Sequence, residues 1–250
     1  MSKLRDLYAP SLLIVIGLII WELIARAIGM SFILPSPIEI SRKLWELKGI
    51  LFFGHLPATL GVILTGLSLS IILGVGLAIW MNTSKIAEKT FYPIIISSQT
   101  IPIIALAPIF VLWFGYSIWS KVAVTLLITF FPITVSTFDG LKSSSKEMRD
   151  LLLTMGASKK EIFLKLQVPS ALPYFYSGLK VAVTLSVIGA AIGEWLGAQA
   201  GLGYFSRRMM TQFDGAGVFA PIVLLSAIGI VLFLLVALLE KFTLKWRKTI

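Results

Sequence analysis

Cysteine is absent, histidine occurs once, acidic residues number only 12, and each scarcity removes a class of function. Without cysteine there can be no disulfide and no thiolate metal site. His55, the lone histidine, has no acid or nucleophile placed beside it in sequence, which argues against a membrane enzyme. No Gly-x-x-x-x-Gly-Lys-Ser/Thr run occurs, so the chain does not bind and split ATP in the P-loop manner. Gly201-Leu202-Gly203 lacks the strand, helix and third glycine of a dinucleotide fingerprint and reads as a turn.

What the chain has in abundance is apolar surface. Its composition is 57% hydrophobic and 14% charged, with a mean hydropathy of +0.93, far beyond an average soluble domain. Four uncharged runs approach or exceed the roughly 20 residues that cross a bilayer as a helix: Leu56 to Met81, Phe91 to Gly115, Val122 to Phe138 and Val218 to Leu239. Two more carry isolated charges, Ser11 to Ile28 with Glu22 and Arg26, and Ala171 to Gly193 with Lys180. The fold expected is therefore all-α, a polytopic membrane bundle of six transmembrane helices in one domain spanning 1–250. The first span is read as retained, because Glu22 interrupts it and no small-x-small cleavage site follows.

A net charge of +10 could suggest nucleic acid, but the basic residues sort by side of the membrane. With both termini cytoplasmic, the inner segments hold twice as many lysines and arginines as the outer ones. The charge is thus topological, and no nucleic acid partner is expected.

Local signals refine the spans. Glu22 and Arg26, four residues apart, can bridge on one helical face. In Leu34-Pro35-Ser36-Pro37, Ser36 can cap a short helix starting at Pro37, and the mixed segment 37–48 suits the outer interface. The third span carries Pro93, Pro102 and Pro108 with Ser97, Ser98, Gln99 and Thr100 inside it. A kinked helix with polar groups at membrane depth suits a wet cavity, although its hydroxyls could equally bond back to their own carbonyls. Gly189, Gly193, Gly197 and Gly201 repeat every fourth residue, a pattern for close helix packing. Glu194 beside them should face protein or water, and Lys180 should snorkel in a structural role.

The longest polar stretch, about 139–170, stands between two apolar runs. Ser144 or Ser145 can start a helix with Leu151, Leu152, Met155 and Ile162 at near-helical spacing, Gly156 breaks it, and Ser158 with Glu161 forms a capping box for a second helix. Pro169 and Pro173 should end that helix and start the next span. Helix, glycine turn and helix make a knuckle protruding into water, more specified than a connector requires.

These residues resemble the EAA loop of bacterial ABC importer permeases. Asp150-Leu151-Leu152 stands in place of Glu-Ala-Ala, Gly156 is in register, and Leu166-Gln167-Val168-Pro169 occupies the closing element. The similarity covers nearly the whole chain: Trp21-Glu22, Leu34 to Pro37, Ile101 to Pro108 with Trp113-Phe114-Gly115, and Gly193-Glu194 with Gly201 to Gly203 resemble the nitrate, sulfonate and taurine branch. Gly193 to Ala198 ahead of Gly201 to Tyr204 looks most like permeases for thiamine-precursor pyrimidines.

The resemblance implies a type I ABC importer permease in the bacterial cytoplasmic membrane. It implies a homodimer, or a pair with a sibling chain, together with two ABC ATPase subunits and an extracytoplasmic substrate-binding protein. The chain itself would bind no cofactor, since ATP and Mg belong to the ATPase subunits. Asp150, Leu151, Leu152, Thr154, Met155, Gly156, Ala157, Ser158 and Lys159 would form the ATPase-coupling helix, with Leu151, Leu152 and Met155 as apolar anchors. Gln99, Thr100, Thr129, Phe131 and Glu194 are the candidates for lining the pathway. A sulfonate, taurine, nitrate or riboflavin importer is the nearest alternative. An ion-coupled secondary transporter is the alternative of another class, but no internal repeat supports it.

Overall fold

The computed structural model describes residues 2–246, with side chains described from Ser11 onward. Among them there are only helices: α1 (Ser2–Ile28), α2 (Pro37–Glu46), α3 (Leu56–Thr83), α4 (Lys85–Ser98), α5 (Ile103–Phe114), α6 (Ile118–Lys142), α7 (Lys146–Thr154), α8 (Lys159–Ile162), α9 (Val168–Gly197), α10 (Leu202–Thr211) and α11 (Gly215–Thr243). Wide π-helical turns at Ile50–His55 and Phe163–Gln167 lead into α3 and α9. Five segments, ending in α1, α3, α6, α9 and α11, are long and apolar enough to cross a membrane.

The third expected span is corrected. Phe91 to Gly115 is not one kinked helix: α4 and α5 are bent by 101° at the break between them. Pro102 has no N–H to continue the ladder. The N–H groups of Gln99, Thr100 and Ile101 instead reach back only three residues, to Ile96, Ser97 and Ser98. The residues between the expected second and third spans are mostly helix, since α3 runs to Thr83 and Ser84 caps α4 through the Ala87 N–H. A second correction concerns Pro169 and Pro173. Neither separates α8 from the next span, because Lys159–Gly197 is one continuous helical run, with Pro169 in the first turn of α9 and Pro173 inside it.

The centre of the bundle is the antiparallel pair α6 and α9. It can close tightly because glycine removes side chains where backbones cross. A Cβ on Gly189 would lie 2.9 Å from Thr125 Cα, and one on Gly193 2.9 Å from Lys121 Cα. The ladder legible in sequence continues toward the other end of the pair, where a Cβ on Gly178 would lie 2.6 Å from the Pro132 carbonyl oxygen. Helix α3 packs on α6 through the buried Ser70 and Thr129 hydroxyls, 2.5 Å apart. Lys180 is paired as a structural residue should be, its Nζ 2.8 Å from Glu240 Oε2 of α11.

Peripheral elements are tied on by polar contacts. Arg26 Nε donates to Glu22 Oε1 at 2.7 Å, the expected bridge. The other oxygen of Glu22 accepts the Ile38 N–H at 3.2 Å and so also holds the start of α2. Ser36 caps α2 in a capping box with Glu39. Most described side chains of α1 remain exposed on the outside of the bundle, where hydrocarbon would surround them.

Candidate functional site: an arm, a broken span and a capped helix

The polar stretch forms an arm. Ser145 caps α7 through the Met148 N–H, and α7 buries none of its residues. At its end the Gly156 N–H donates to the Leu153 carbonyl (3.0 Å) and the Ala157 N–H to the Leu152 carbonyl (2.9 Å). This is a Schellman stop, whose left-handed position is Gly156 at φ 82. The chain then turns directly into α8, where Ser158 and Glu161 complete the expected capping box.

Geometry divides the arm's apolar residues into two groups. Leu152 and Ala157 are half-buried and line one hollow together with the exposed Met155, the apolar contact that accompanies such a stop. Met148, Leu151 and Met155 are exposed, Met155 by 73%. Their spacing of three and then four residues sets them on one face of α7. Met148 was not singled out from the sequence; its spacing to Leu151 was the available signal. Asp150, Thr154, Ser158 and Lys159 are exposed around that face. The Thr154 hydroxyl donates to the Leu151 carbonyl at 2.7 Å.

Both roots of the arm are bonded to the bundle. Lys142 Nζ lies 2.5 Å from Glu88 Oε1 of α4. Asn82 Nδ2 of α3 donates to Gln167 Oε1 at 3.1 Å. The arm is thereby tied to α4 and α3 by side chains and to α6 and α9 through the chain itself.

The five pathway candidates fall in four places. Gln99 and Thr100 are exposed at the break between α4 and α5, where Thr100 Oγ1 donates to the Ser97 carbonyl at 2.7 Å. Thr129 is buried in the α3–α6 contact and Phe131 is half-buried against the α3–α4 cluster. Glu194 is 1% exposed at the end of α9. None of them lines the cavity of about 610 Å³ between α5, α9, α10 and α11, whose sparse polar groups include Thr184, Ser206 and Ser226.

Glu194 has a definite structural partner. The first N–H groups at the start of α10 have no helical acceptor, and three side chains supply one each. Gly201 N–H donates to His55 Nδ1 (3.1 Å), Leu202 N–H to Thr59 Oγ1 (2.8 Å) and Gly203 N–H to Glu194 Oε2 (2.7 Å). The start of α10 is thereby fastened to α3, its preceding turn and α9. A Cβ at Gly201, whose φ is 120, would collide with the Glu194 carboxyl. The expected turn at 201–203 is thus the capped start of a helix. Among the described residues no group of three His, Cys, Asp or Glu side chains could hold a metal.

The described residues thus form a helix bundle with five segments apolar enough to cross a membrane, a bent helix pair that could make a sixth, and a polar arm. Residues 70–245 match the family described as binding-protein-dependent transport system inner membrane component. The chain belongs to that family, the permease subunits of ABC importers. It is 59% identical over 248 residues, 99% of each chain, to the formylaminopyrimidine transport permease protein ThiX of Halalkalibacterium halodurans. It is 31% identical over 92% of its length to the riboflavin transport system permease protein RibX of Chloroflexus aurantiacus, covering 86% of that protein. A putative aliphatic sulfonates transport permease protein of Bacillus subtilis is 29% identical across 98% of this chain and 88% of its own.

Proposed function

We propose that this chain is the permease through which a formylaminopyrimidine, a precursor of thiamine, enters a bacterial cell. The observation that carries this reading is the 59% identity to a formylaminopyrimidine permease across 99% of both chains. The substrate is delivered by an extracytoplasmic binding protein, and two copies of the chain form the passage in the cytoplasmic membrane. Both termini and the arm lie in the cytoplasm.

Two ATPase subunits, which carry ATP and Mg, receive the arm residues Asp150 to Lys159. Met148, Leu151 and Met155 supply the apolar contact, and burying one such side chain contributes roughly 1.5–3 kcal/mol. Leu152 and Ala157 keep the turn closed, and Lys159 provides charge at the rim. Nucleotide closes the ATPase pair and draws the arms together. Because the arm roots are bonded to α3 and α4, that motion tilts the spans and alternates the access of the central passage. Gln99 and Thr100, at the break in the third span, are the pathway candidates that the geometry favours, since unwound backbone belongs beside a wet cavity.

Reconstitution tests this reading. Proteoliposomes holding the permease, its ATPase subunits and the binding protein should accumulate formylaminopyrimidine only with ATP inside. Uptake of riboflavin or a sulfonate in its place would replace the substrate. Uptake by the permease alone, driven by an ion gradient, would remove the ATPase from the account.

A further inference from the structure

Helices α7 and α10 stop with the same backbone bonds but with different residues in the left-handed position. At the end of α10 the Phe213 N–H donates to the Met210 carbonyl (3.2 Å) and the Asp214 N–H to the Met209 carbonyl (3.1 Å). Phe213 sits at φ 55, the one non-glycine positive φ among the described residues. For an L-residue with a bulky side chain this conformation costs free energy that glycine would not. The ring is 79% exposed, so its burial within the chain does not offset that cost. Strain retained to display an aromatic ring points to something that covers the ring.

The neighbouring side chains say what kind of surface this is. Leu202, Phe205 and Met209 bury one side of α10, while Arg207, Arg208, Met210, Thr211 and Gln212 are exposed. Arg207, Met210 and Phe213, three residues apart in turn, set charge and apolar surface side by side on this face, and arginine, methionine and aromatic residues are the types enriched at protein interfaces. Among the described residues neither arginine has a carboxylate within ion-pair distance. Asp214, the acid nearest in sequence, is held by Lys43 at 2.8 Å. Arg207 is steadied by donating to the Trp195 carbonyl. An exposed aromatic ring with two guanidinium groups that have no carboxylate partner among the described residues, on a fixed helix, is the composition of a binding hot spot.

We infer that Phe213 with Arg207 and Arg208 is a docking surface for the extracytoplasmic substrate-binding protein, which meets it with an acidic rim around a pocket for the ring. The inference rests on the function proposed above, which puts the arm on the ATPase side. Helix α9 has 30 residues, about 45 Å of rise, and carries α10 from the arm to the opposite end of the bundle. The start of α10 is pinned by His55, Thr59 and Glu194, so the surface is preorganised and little ordering is needed on contact.

The test uses the assembled permease–ATPase complex in lipid nanodiscs and measures the Kd of the loaded binding protein at low and high salt. Phe213→Gly should keep or raise the Tm, because it relieves the left-handed strain, yet weaken docking by about tenfold or more. The double variant Arg207→Glu, Arg208→Glu should weaken docking by about tenfold at low salt and flatten its salt dependence. An unchanged Kd in Phe213→Gly with a raised Tm would overturn the assignment. So would losses that appear only in anionic lipid and vanish in detergent, which would assign the face to the membrane. The two readings fail separately: absence of bound ATPase subunits in the wild-type preparation would remove the proposed coupling, while the binding-protein Kd of the permease alone would still report on Phe213.

Discussion

The two ends of α9 are built in opposite ways. At its start, the arm α7–Gly156–α8 is shaped by local devices: the caps Ser145 and Ser158 and the Schellman stop at Gly156 all act within a few residues of chain. At its far end, α10 is shaped by residues distant in sequence, with the Gly201 and Leu202 N–H groups held by His55 and Thr59. In the proposed coupling the arm would move as a unit on its roots, while the other end is fastened to the bundle. The proposed coupling would use that asymmetry as a lever does, with a stiff tip and an anchored far support.

The largest effect should follow from breaking the arm. Proline cannot adopt φ 82 and has no N–H for the Leu153 carbonyl, so Gly156→Pro removes the stop while leaving α3, α6 and α9 untouched. Insertion and Tm should persist, whereas ATP hydrolysis stimulated by the loaded binding protein and ATP-driven uptake should fall to background. Stimulation that survived in this variant would show that force does not pass through the turn.

The anchored end should respond in the other sense, through stability. Glu194→Ala leaves the buried Gly203 N–H without its acceptor, a loss of about 1–3 kcal/mol. Glu194→Gln keeps an oxygen able to accept that bond and should recover most of the loss. A thermal-unfolding series on the two variants in nanodiscs checks this, and equal Tm values for Ala and Gln would contradict the capping role.

The same contrast explains how far the sequence could be read. The arm was legible down to its capping box and its glycine, since every determinant lies within a short window. The anchored end was not. Glu194 could be recognised as an acid needing a partner, but His55 and Thr59 lie some hundred and forty residues from the N–H groups they receive, and no periodicity connects them. Thr129 was likewise a polar residue in an apolar span, for which a passage and a helix contact predict the same pattern; Ser70 across the contact decides its placement. The break at Gln99 to Pro102 was legible as a weak point, but not its 101° angle, because proline removes a bond without fixing the direction of the next helix.

The smallest effect sharpens the comparison at the anchored end, where Lys43 Nζ and Asp214 Oδ2 join α2 to the start of α11 at 2.8 Å. Burial alone would push the Asp214 carboxyl up, but the Lys43 hydrogen bond and the Gly217 N–H outweigh it and hold the carboxyl below its ordinary value. The same hydrogen bond raises Lys43. A lowered acid contributes stability that is present above its unfolded value and is lost as the pH falls through its folded value. The pair is partly exposed, so its contribution should be at most about 1 kcal/mol. Wild-type protein should therefore lose a small increment of Tm on the acid side of the ordinary carboxylate range, and Asp214→Asn should lack that increment. The arm contains no such tertiary pair in α7, so Gly156→Pro should leave this acid limb unchanged.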